Sequence, residues 1–334
     1  GDIGFDKYMD GKWNDEELIS DEILDFLHSG DHVVANVEGA LVRQEKKEGL
    51  QGVQQLGHAM DPDASKVLRK MGADIWSIGN NHTMDAGPEG ILSTRKIAAE
   101  LGCKTFGAGL NEVEASEPVY LEEAGGIGMF CVSYMNECIP ATATEPGIFR
   151  WDDLPYIEKR IKEIKSRCRW CIVVSHGGEE FTSLPSPYTR DRYLKFLELG
   201  ADVVVGHHPH VPENYELFDN GKAIFYSLGN FIFDTDYQRK QDYTEYGVLV
   251  KIDFNKKAFT FESVGTKIDR ENQTILACET PKIFTNIDGK LYKKLWPLSA
   301  KVLRINERIK WAIIYPENKD FTPEEWEKWE LERA

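Results

Sequence analysis

The sequence predicts an α/β protein built on a largely parallel β-sheet. In the first two thirds of the chain, short apolar runs rich in β-branched residues alternate with amphipathic helical patterns, which is typical of βαβ units. Polar residues with metal-binding side chains stand where several of these runs end. After about residue 210 the helical patterns give way to consecutive strand-like runs, so we expect a smaller antiparallel sheet beside the parallel one.

The first half of the chain alternates between helices and strands. The predicted elements are, in order, a helix over 15–29, a strand over 32–39, a polar loop over 40–60, a helix over 61–71, a strand over 73–78, a helix over 88–101, and two or three short strands between 104 and 134. The first helix is predicted from an apolar face that contains Leu18 and Ile19. Asp61-Pro62 is typical of a helix start and Gly72 of a helix end. The polar loop has the length of a lid or binding loop.

The second half begins with the same alternation and ends in helices. The predicted elements are a helix over 152–167, a strand over 170–174, a helix over 188–199, a strand over 201–205, further strands near 211–218, 222–227, 245–254 and 258–266, and helical structure from about 290. Thr322, followed by Pro323 and two glutamates, is typical of a helix N-cap. Because no strong shift in composition precedes about residue 285, we expect one domain over 1–288 and a short helical C-terminal extension over 289–334.

The composition is that of a globular protein with a strongly acidic balance. The 334 residues include 41% hydrophobic and 29% charged side chains, and the formal net charge is −16. This charge argues against nucleic acid or an anionic membrane surface as the main partner, although bound metal cations would still allow a polyanionic substrate. No run of apolar residues is long enough to predict a membrane span. The six cysteines are too sparse to predict a disulfide framework.

The sequence carries no recognisable signal peptide, and it begins at Gly1-Asp2. Because the cysteines have the pattern of reduced thiols, we expect a cytoplasmic location for this chain. The alternative is a membrane-anchored extracellular protein from which a leader or anchor has been removed.

The segment from Gly206 to His210 carries the densest group of candidate ligands. It holds a His-x-His pair around Pro209, at the point where the strand over 201–205 ends. With this strand end, five strand ends carry candidate ligands: Asp2, Asn36 with Glu38, Asn81 with His82, His176, and His208 with His210. Because parallel strands end at one edge of a sheet, we expect these side chains to gather there. Carboxylate, amide and imidazole ligands together suit Mn, Fe or Zn better than Mg or Ca alone.

Each of these residues has a structural alternative when it is considered alone. Asn81 and Asp85 could cap the following helix, and His176 could be a hydrogen-bonded core histidine. Glu179 and Glu180 could be a solvated pair, and the His-x-His turn could hold capping or solvated histidines. The ordered combination favours a metal site over these alternatives.

The ordered motifs resemble those of the calcineurin-like metallophosphoesterases. They are Gly1-Asp2, Asn36-x-Glu38, Asn80-Asn81-His82-x-x-Asp85, His176-Gly177 and Gly206-His207-His208-Pro209-His210. Together with Ser227-Leu228-Gly229-Asn230-Phe231, the set resembles more closely the bacterial CapA family, which is linked to poly-γ-glutamate capsule synthesis. The resemblance spans about residues 1–235. It implies a four-layer α/β/β/α sandwich with one or two divalent transition-metal ions (Mn, Fe or Zn) at the sheet edge.

The resemblance also implies a role for each motif residue. The implied metal ligands are Glu38 as a bridge, Asn81, His176 and His208 for one cation, and Asp2 and His210 for the other. The implied catalytic residues are His82, which would contact the substrate or protonate the leaving group, and Asp85, which would orient His82. Further candidates for substrate contact are Asn36, Glu179 and Asn230.

The first motif departs from the pattern of the superfamily. Its usual form is Asp-x-His, whereas this chain has Asp2-Ile3-Gly4. One imidazole is therefore missing from the site that contains Asp2, unless Asp6 or another group replaces it. Because a stable transition-metal site needs about three or more good ligands, we expect the other cation to be bound more tightly.

The resemblance implies a metal-dependent hydrolase, with phosphoester hydrolysis in capsule or exopolymer biosynthesis as the leading hypothesis. One alternative is a non-hydrolytic component that binds poly-γ-glutamate during assembly or export. Another is an amide-bond hydrolase or transferase that acts on the γ-glutamyl polymer. The implied partners are a phosphorylated or γ-glutamyl polymer and other capsule-synthesis proteins.

Overall fold

The structure, a computed structural model, describes residues 1–43, 57–134 and 138–333 of the chain. It confirms the predicted α/β class, with parallel sheets and helices. The central part of the predicted polar loop over 40–60 lies outside the described residues. The two ends of that loop pair with each other as short parallel strands.

The strands and helices are numbered here in chain order. The strands are β1 (Asp2–Ile3), β2 (Val33–Val37), β3 (Ala40–Leu41), β4 (Ala59–Met60), β5 (Ala73–Ser77), β6 (Lys104–Phe106), β7 (Ala108–Gly109), β8 (Val119–Leu121), β9 (Ile127–Ser133), β10 (Gly147–Ile148), β11 (Trp170–His176), β12 (Val203–His207), β13 (Tyr215–Phe218), β14 (Lys222–Phe225), β15 (Asn230–Ile232), β16 (Tyr246–Phe254), β17 (Phe259–Asp269) and β18 (Thr274–Cys278). The α-helices are α1 (Asp21–His28), α2 (Ser65–Lys70), α3 (Gly87–Glu100), α4 (Glu112–Ala115), α5 (Leu154–Arg167), α6 (Pro187–Glu198), α7 (Gly289–Ile314) and α8 (Pro323–Arg333).

Two larger sheets and one smaller sheet organise the chain. The first sheet has the order β15-β1-β2-β5-β6, and its strands are parallel. The second has the order β13-β14-β12-β11-β9-β8, with antiparallel strands only at its two edges. The third, β16-β17-β18, is antiparallel and confirms the expected added sheet.

Strand β11 is buried on both faces, which explains its nearly continuous apolar sequence. Because side chains alternate along a strand, Val173 lies in the cluster formed with α5 and α6, which includes Ile161 and Phe196. Ile172 lies in the opposite cluster, which includes Val248 of β16. The first sheet forms a separate core with α1, α2 and α3. The second sheet is thus fixed from both sides, which makes its strand ends a rigid base for side chains.

The predicted helix over 15–29 is wrong in its first part, because α1 begins only at Asp21. The preceding residues lie beside β18 instead of turning into a helix. The backbone nitrogen of Ile275 donates to the carbonyl of Leu18 at 2.7 Å, and that of Ser20 donates to the carbonyl of Ile275 at 3.0 Å. A tertiary backbone contact therefore overrides the local apolar pattern.

The short strands were predicted less accurately than the long ones. Between residues 104 and 134 the structure contains β6, β7, β8 and β9, which exceeds the two or three strands expected. Strands β15 and β18 were not predicted at all. A strand of two to five residues offers too few positions for an alternating pattern to stand out.

The C-terminal part is helical, as predicted. Thr322 caps α8 in the expected way: its hydroxyl accepts from the backbone nitrogen of Glu325 at 3.3 Å, and the Glu325 carboxylate accepts from the Thr322 nitrogen at 2.7 Å. None of the helices in the described ranges is both long and apolar enough to cross a bilayer.

Gly206 lets β12 run directly against the backbone that follows β14. A Cβ atom added at Gly206 would lie only 1.9 Å from the carbonyl oxygen of Tyr226. Any side chain here would push β12 away from its neighbour. The glycine therefore fixes the position of the histidine-rich turn that begins at the next residue.

Replacing Gly206 with alanine is expected to lower the unfolding temperature, because the close backbone contact leaves no room for a methyl group. Overpacking of this kind costs about 1–3 kcal/mol. Gly30→Ala is the matched control, since its Cβ would make only an ordinary 3.4 Å contact with the carbonyl of His32. Thermal unfolding of both variants tests the difference, and equal melting temperatures would contradict the close approach.

Candidate metal centre

The predicted strand ends meet because the two large sheets hold them in register. In the first sheet β1 lies between β2 and β15, so Asp2 pairs with Asn36 on one side and with Asn230 on the other. In the second sheet His176, at the end of β11, pairs with His207 at the end of β12. Parallel pairing therefore carries polar side chains from distant parts of the chain to one edge.

Asp2 is fully buried and is surrounded by nitrogen atoms. Asn36 Nδ2 donates to Asp2 Oδ1 at 2.9 Å, and His207 Nδ1 lies 3.1 Å from the same oxygen. The backbone nitrogen of His208 donates to Asp2 Oδ2 at 3.3 Å. Burial by itself would raise the pKa of Asp2, but the hydrogen bond with His207 and the nearby histidines lower it. Asp2 is therefore held as a carboxylate, the form that binds a cation.

Glu38 follows β2, and its side chain is 0% exposed. Neither carboxylate oxygen has a hydrogen-bond partner among the described residues. Instead, three imidazole nitrogens surround Glu38 Oε1: His82 Nε2 at 3.8 Å, His176 Nε2 at 3.9 Å and His210 Nε2 at 3.7 Å. Burial, with the charges of Asp2 and Glu180, raises the pKa of Glu38 well above its usual value. A buried carboxylate without hydrogen bonds is costly unless a cation compensates it, so this residue fits a metal ligand.

Asn81 links two of these histidines. Its Oδ1 lies 2.8 Å from His176 Nε2, and its Nδ2 lies 3.0 Å from His82 Nε2. On the other side of the ring, His82 Nδ1 lies 2.7 Å from Asp85 Oδ2. The 2.8 Å separation is close to the roughly 3 Å expected for two neighbouring ligands that each lie about 2.1 Å from one cation.

His210 is oriented in a similar manner. Its Nδ1 lies 3.0 Å from Asn230 Oδ1, which leaves Nε2 to face Glu38. A metal-binding imidazole usually donates a hydrogen bond from its other ring nitrogen to an oxygen atom, and this bond fixes the tautomer. Burial lowers the pKa of His82, His176 and His210, so these rings are neutral near pH 7 and can offer lone pairs to a cation.

The ligand atoms form two groups that share Glu38. In one group, atoms of Glu38, His208 and His210 lie within 4.8 Å of one another, and in the other group atoms of Asp2, Glu38 and His176 do so. A shared carboxylate is compatible with the expected bridging role. The grouping places His208 with His210 and His176 with Asp2, whereas the resemblance separates these pairs. The division of the ligands between two cations stays a prediction.

The turn after β12 has an unusual backbone. His208 has φ of +98° and His210 has φ of +58°, a region that residues other than glycine seldom adopt. Neighbouring hydrogen bonds hold the turn: the nitrogen of Gly177 donates to the carbonyl of His207 at 3.0 Å, and that of Phe181 donates to the carbonyl of Pro209 at 2.9 Å. Backbone strain of this kind is often found at functional sites, where surrounding contacts maintain it.

The predicted substrate-contact residues lie in different surroundings. Asn36 and Asn230 are buried, and they contact Asp2 and His210 respectively. The carboxylate of Glu179 accepts hydrogen bonds at the start of α6, from the backbone of Ser186 and the hydroxyl of Thr189, each at 3.0 Å. The substrate-contact roles of the three residues stay predictions, while the described contacts give each of them a positioning role.

Asp85 lies between two histidines. Its Oδ2 contacts His82 and also accepts a hydrogen bond from the backbone nitrogen of His58 at 2.7 Å. Burial raises the pKa of Asp85 to about 6. Asp85 is thus placed to orient His82, in keeping with its implied role, and His58 helps to hold it there.

Sequence reasoning missed several residues of this region. His58 packs edge-on against His82, with ring centroids 4.0 Å apart, and its Nδ1 is hydrogen-bonded to Asp6. Glu180 lies 3.8 Å from His210 Nε2 and pairs with Lys310 of α7. No strand end or motif marks His58, and Lys310 is far from the site in sequence. The adjacent glutamates after His176 were the only signal, and the solvated-pair alternative for Glu180 is wrong, because its side chain is 10% exposed.

Together the fold and the site define an α/β protein with a buried carboxylate, amide and imidazole cluster where its parallel strands end. The chain belongs to the family described as bacterial capsule synthesis protein PGA_cap, whose model matches residues 1–235. All the predicted site residues lie inside the matched segment.

Curated relatives agree with this family. The chain is 29% identical over 249 residues to the PGA biosynthesis protein CapA of Bacillus subtilis, a match that covers 72% of this chain and 64% of the relative. It is 29% identical over 223 residues to the capsule biosynthesis protein CapA of Bacillus anthracis, covering 65% of this chain and 54% of the relative. It is 24% identical over 189 residues to a probable polyglutamine synthesis accessory protein of Mycobacterium tuberculosis, a match that covers 53% of this chain and 50% of the relative. The chain therefore spans between half and two thirds of the length of these relatives.

Glu38→Gln is expected to weaken divalent-cation binding by more than about 10- to 100-fold, because even residues that only orient ligands contribute that much. A ligand at 100 times its dissociation constant stabilises a protein by about 2.7 kcal/mol. The rise in melting temperature that saturating Mn²⁺ or Zn²⁺ gives the parent protein should therefore disappear in the variant. Calorimetric titration and thermal unfolding with and without a chelator measure both effects.

Glu213→Gln is the matched control for this prediction. Glu213 is also a buried carboxylate whose oxygens have no hydrogen-bond partner among the described residues, but it belongs to neither ligand group. Burial raises its pKa as well. Equal loss of cation binding in the Glu38 and Glu213 variants would contradict a specific role for Glu38.

Proposed function

We propose that the protein is a metal-dependent hydrolase of the CapA type, which cleaves a phosphoester during capsule or exopolymer biosynthesis. The observation that carries this proposal is Glu38, a buried carboxylate that has no hydrogen-bond partner among the described residues and whose Oε1 is surrounded by three imidazole nitrogens. The proposal includes the four-layer α/β/β/α arrangement and the metallophosphoesterase-like chemistry that the motifs imply. It also includes a location in the cytoplasm or, as the alternative, outside the cell on a membrane anchor.

The residues that would hold one or two ions of Mn, Fe or Zn are Asp2, Glu38, Asn81, His176, His208 and His210. Their mixture of carboxylate, amide oxygen and neutral imidazole suits such ions. When bound, these ions supply Lewis-acid assistance to the cleavage of an ester bond. Asn36 and His207 hold the Asp2 carboxylate, and Asn230 orients His210, so the ligand set is largely preorganised.

His82 is the proposed acid for the leaving group. Asp85 at Nδ1 fixes the orientation of the ring, while Nε2 faces the ligand cluster. Because burial lowers the pKa of His82, the ring would first have to take up a proton, which it would then give readily to a leaving oxygen. The same ring would otherwise stabilise negative charge that develops on the phosphoryl group.

A second candidate function concerns the polymer. The names of the relatives refer to PGA biosynthesis, capsule biosynthesis and polyglutamine synthesis, which favours a γ-glutamyl polymer as the molecule handled. On this alternative the domain binds poly-γ-glutamate in assembly or export, or cleaves or transfers its amide bonds. Bound cations would be needed, because a chain with a net charge of −16 repels a polyanion. Other capsule-synthesis proteins are proposed partners in both cases.

His82→Gln is expected to lower the rate of phosphoester hydrolysis by about 10²- to 10⁴-fold, the usual contribution of a general acid. The bound metal should be retained, since His82 is not assigned as a ligand. The assay uses aryl phosphomonoesters and phosphodiesters with added Mn²⁺, and metal content is measured on the same samples. His28→Ala is the control, because His28 is exposed and contacts only the carbonyl of Lys70 among the described hydrogen bonds.

Two outcomes decide between the candidate functions. If the parent protein binds no metal and turns over no phosphoester with added Mn²⁺, the hydrolase proposal fails. If it binds metal and poly-γ-glutamate but leaves aryl phosphates intact, the polymer function is favoured instead. Chain-length analysis of the polymer after incubation then separates binding from cleavage.

A further inference from the structure

Helix α7 is fastened to the loop that follows His176. Within this loop Thr182 Oγ1 lies 2.5 Å from Ser299 Oγ, and the carbonyl of Phe181 accepts from Asn306 Nδ2 at 2.8 Å. The hydroxyl of Tyr292 donates to the carbonyl of Pro185 at 2.8 Å. These contacts extend along much of the helix. They bring a segment outside the matched residues 1–235 close to the candidate metal centre.

Lys310 is a residue of α7 that contacts Glu180, beside the candidate metal centre. It is 8% exposed, and its ammonium group forms an ion pair and a hydrogen bond with Glu180 Oε2. The same ammonium lies 5.9 Å from the ring centroid of Phe181 and 5.6 Å from that of Tyr237. A cation among aromatic rings is largely removed from water, so its attraction to a carboxylate is stronger than at the surface. Lys310 therefore fixes where Glu180 lies.

The other oxygen of Glu180 faces the metal centre. Glu180 Oε1 lies 3.8 Å from His210 Nε2, nearly the same distance as the 3.7 Å between Glu38 Oε1 and that nitrogen. Two atoms that each lie about 2.1 Å from one cation can be at most about 4.2 Å apart. Each of the two carboxylates, taken singly, is thus close enough to His210 for the pair to hold one cation.

This position matters because the first motif of the chain lacks an imidazole. In the division of ligands that the resemblance implies, Asp2-Ile3-Gly4 replaces the usual Asp-x-His, and the cation that His210 would help to hold has one ligand fewer. Asp6, one candidate for a replacement, is engaged with His58. Glu180 is a carboxylate on the His210 side, and its remaining oxygen is already fixed by Lys310.

We propose that Glu180 is a further metal ligand on the His210 side of the centre, and that Lys310 of α7 is the residue that positions it. This inference rests on the metal site of the proposed function and adds a ligand to it. The carboxylate would supply the donor atom that the first motif lacks, and it would add a negative charge that an imidazole does not bring. Lys310 would prevent Glu180 from turning away and would compensate part of the negative charge of the carboxylates.

Cation titration of the purified protein tests this assignment without any substrate. Mn²⁺ and Zn²⁺ are titrated by calorimetry and by competition with a chelating dye. Glu180→Gln is expected to lower the affinity for the weaker cation by about 10- to 100-fold. Lys310→Met should act in the same direction with a smaller effect, and Lys310→Arg, which keeps the charge, should restore most of the affinity.

Lys301→Met is the matched control, because Lys301 is exposed on the same helix. It should bind both cations like the parent protein. Thermal unfolding in the presence of a chelator identifies any variant whose loss of binding reflects loss of folding, and Glu180→Gln keeps the assignment testable if Lys310→Met unfolds. A purely structural role would change the melting temperature of the metal-free protein and leave the cation affinity unchanged.

The outcomes separate this inference from the proposed function. If the parent protein binds cations and Glu180→Gln and Lys310→Met bind them equally well, Glu180 is not a ligand, while the metal site itself stands. If the parent protein binds no cation, both the ligand assignment and the proposed hydrolase fail. Reduced affinity in both variants, with normal binding by Lys301→Met, supports the assignment.

Discussion

The arrangement of this site depends on one constraint, the burial of a Glu38 carboxylate that receives no hydrogen bond from the part of the chain that the structure describes. A charge in such a place costs several kcal/mol unless something compensates it. The nearest side chains are imidazoles that burial keeps neutral, so they bring lone pairs and not positive charge. A metal cation satisfies the carboxylate and the imidazoles together, whereas a proton on Glu38 would satisfy only the carboxylate. The mixture of ligand types is a consequence of this one requirement.

A second layer of polar residues makes the ligand positions definite. Asn36 and His207 hold Asp2, Asn230 orients His210, and Asp85 orients His82. Each of these partners uses an atom that the cation would not need, so the nitrogen or oxygen facing the centre stays available. Such partners determine tautomer and ring orientation, and they often affect metal affinity almost as much as ligands do. A buried amide beside a ligand therefore has a function even if it contacts no substrate.

Much of this could be predicted from the sequence, but only where the pattern is local. Long strands, helix caps and the ligands at strand ends follow from hydrophobic runs and from the residues beside them. The early start predicted for α1 was wrong because Leu18 pairs with a strand more than 250 residues later, a contact that no local pattern records. Lys310 and His58 were missed for the same reason, since only the folded chain brings them near residues 180 and 82. The four-layer arrangement and the catalytic chemistry were inferred from the resemblance to a known family. The spacing of hydrophobic residues does not predict either of them.

The position of β1 has a consequence for folding. Asp2 lies between Asn36 and Asn230, so β1, the second strand of the first sheet, acquires its neighbour β15 only after residues 230–232 have been made. Contacts with such large sequence separation form late and slow the folding of a domain. During synthesis from the N-terminus, one edge of β1 would stay unpaired until β15 is made. An unpaired strand edge is a site where chains can aggregate. The metal centre would be complete only once β1 has paired with β15, so that a bound cation would mark a chain whose first sheet is assembled.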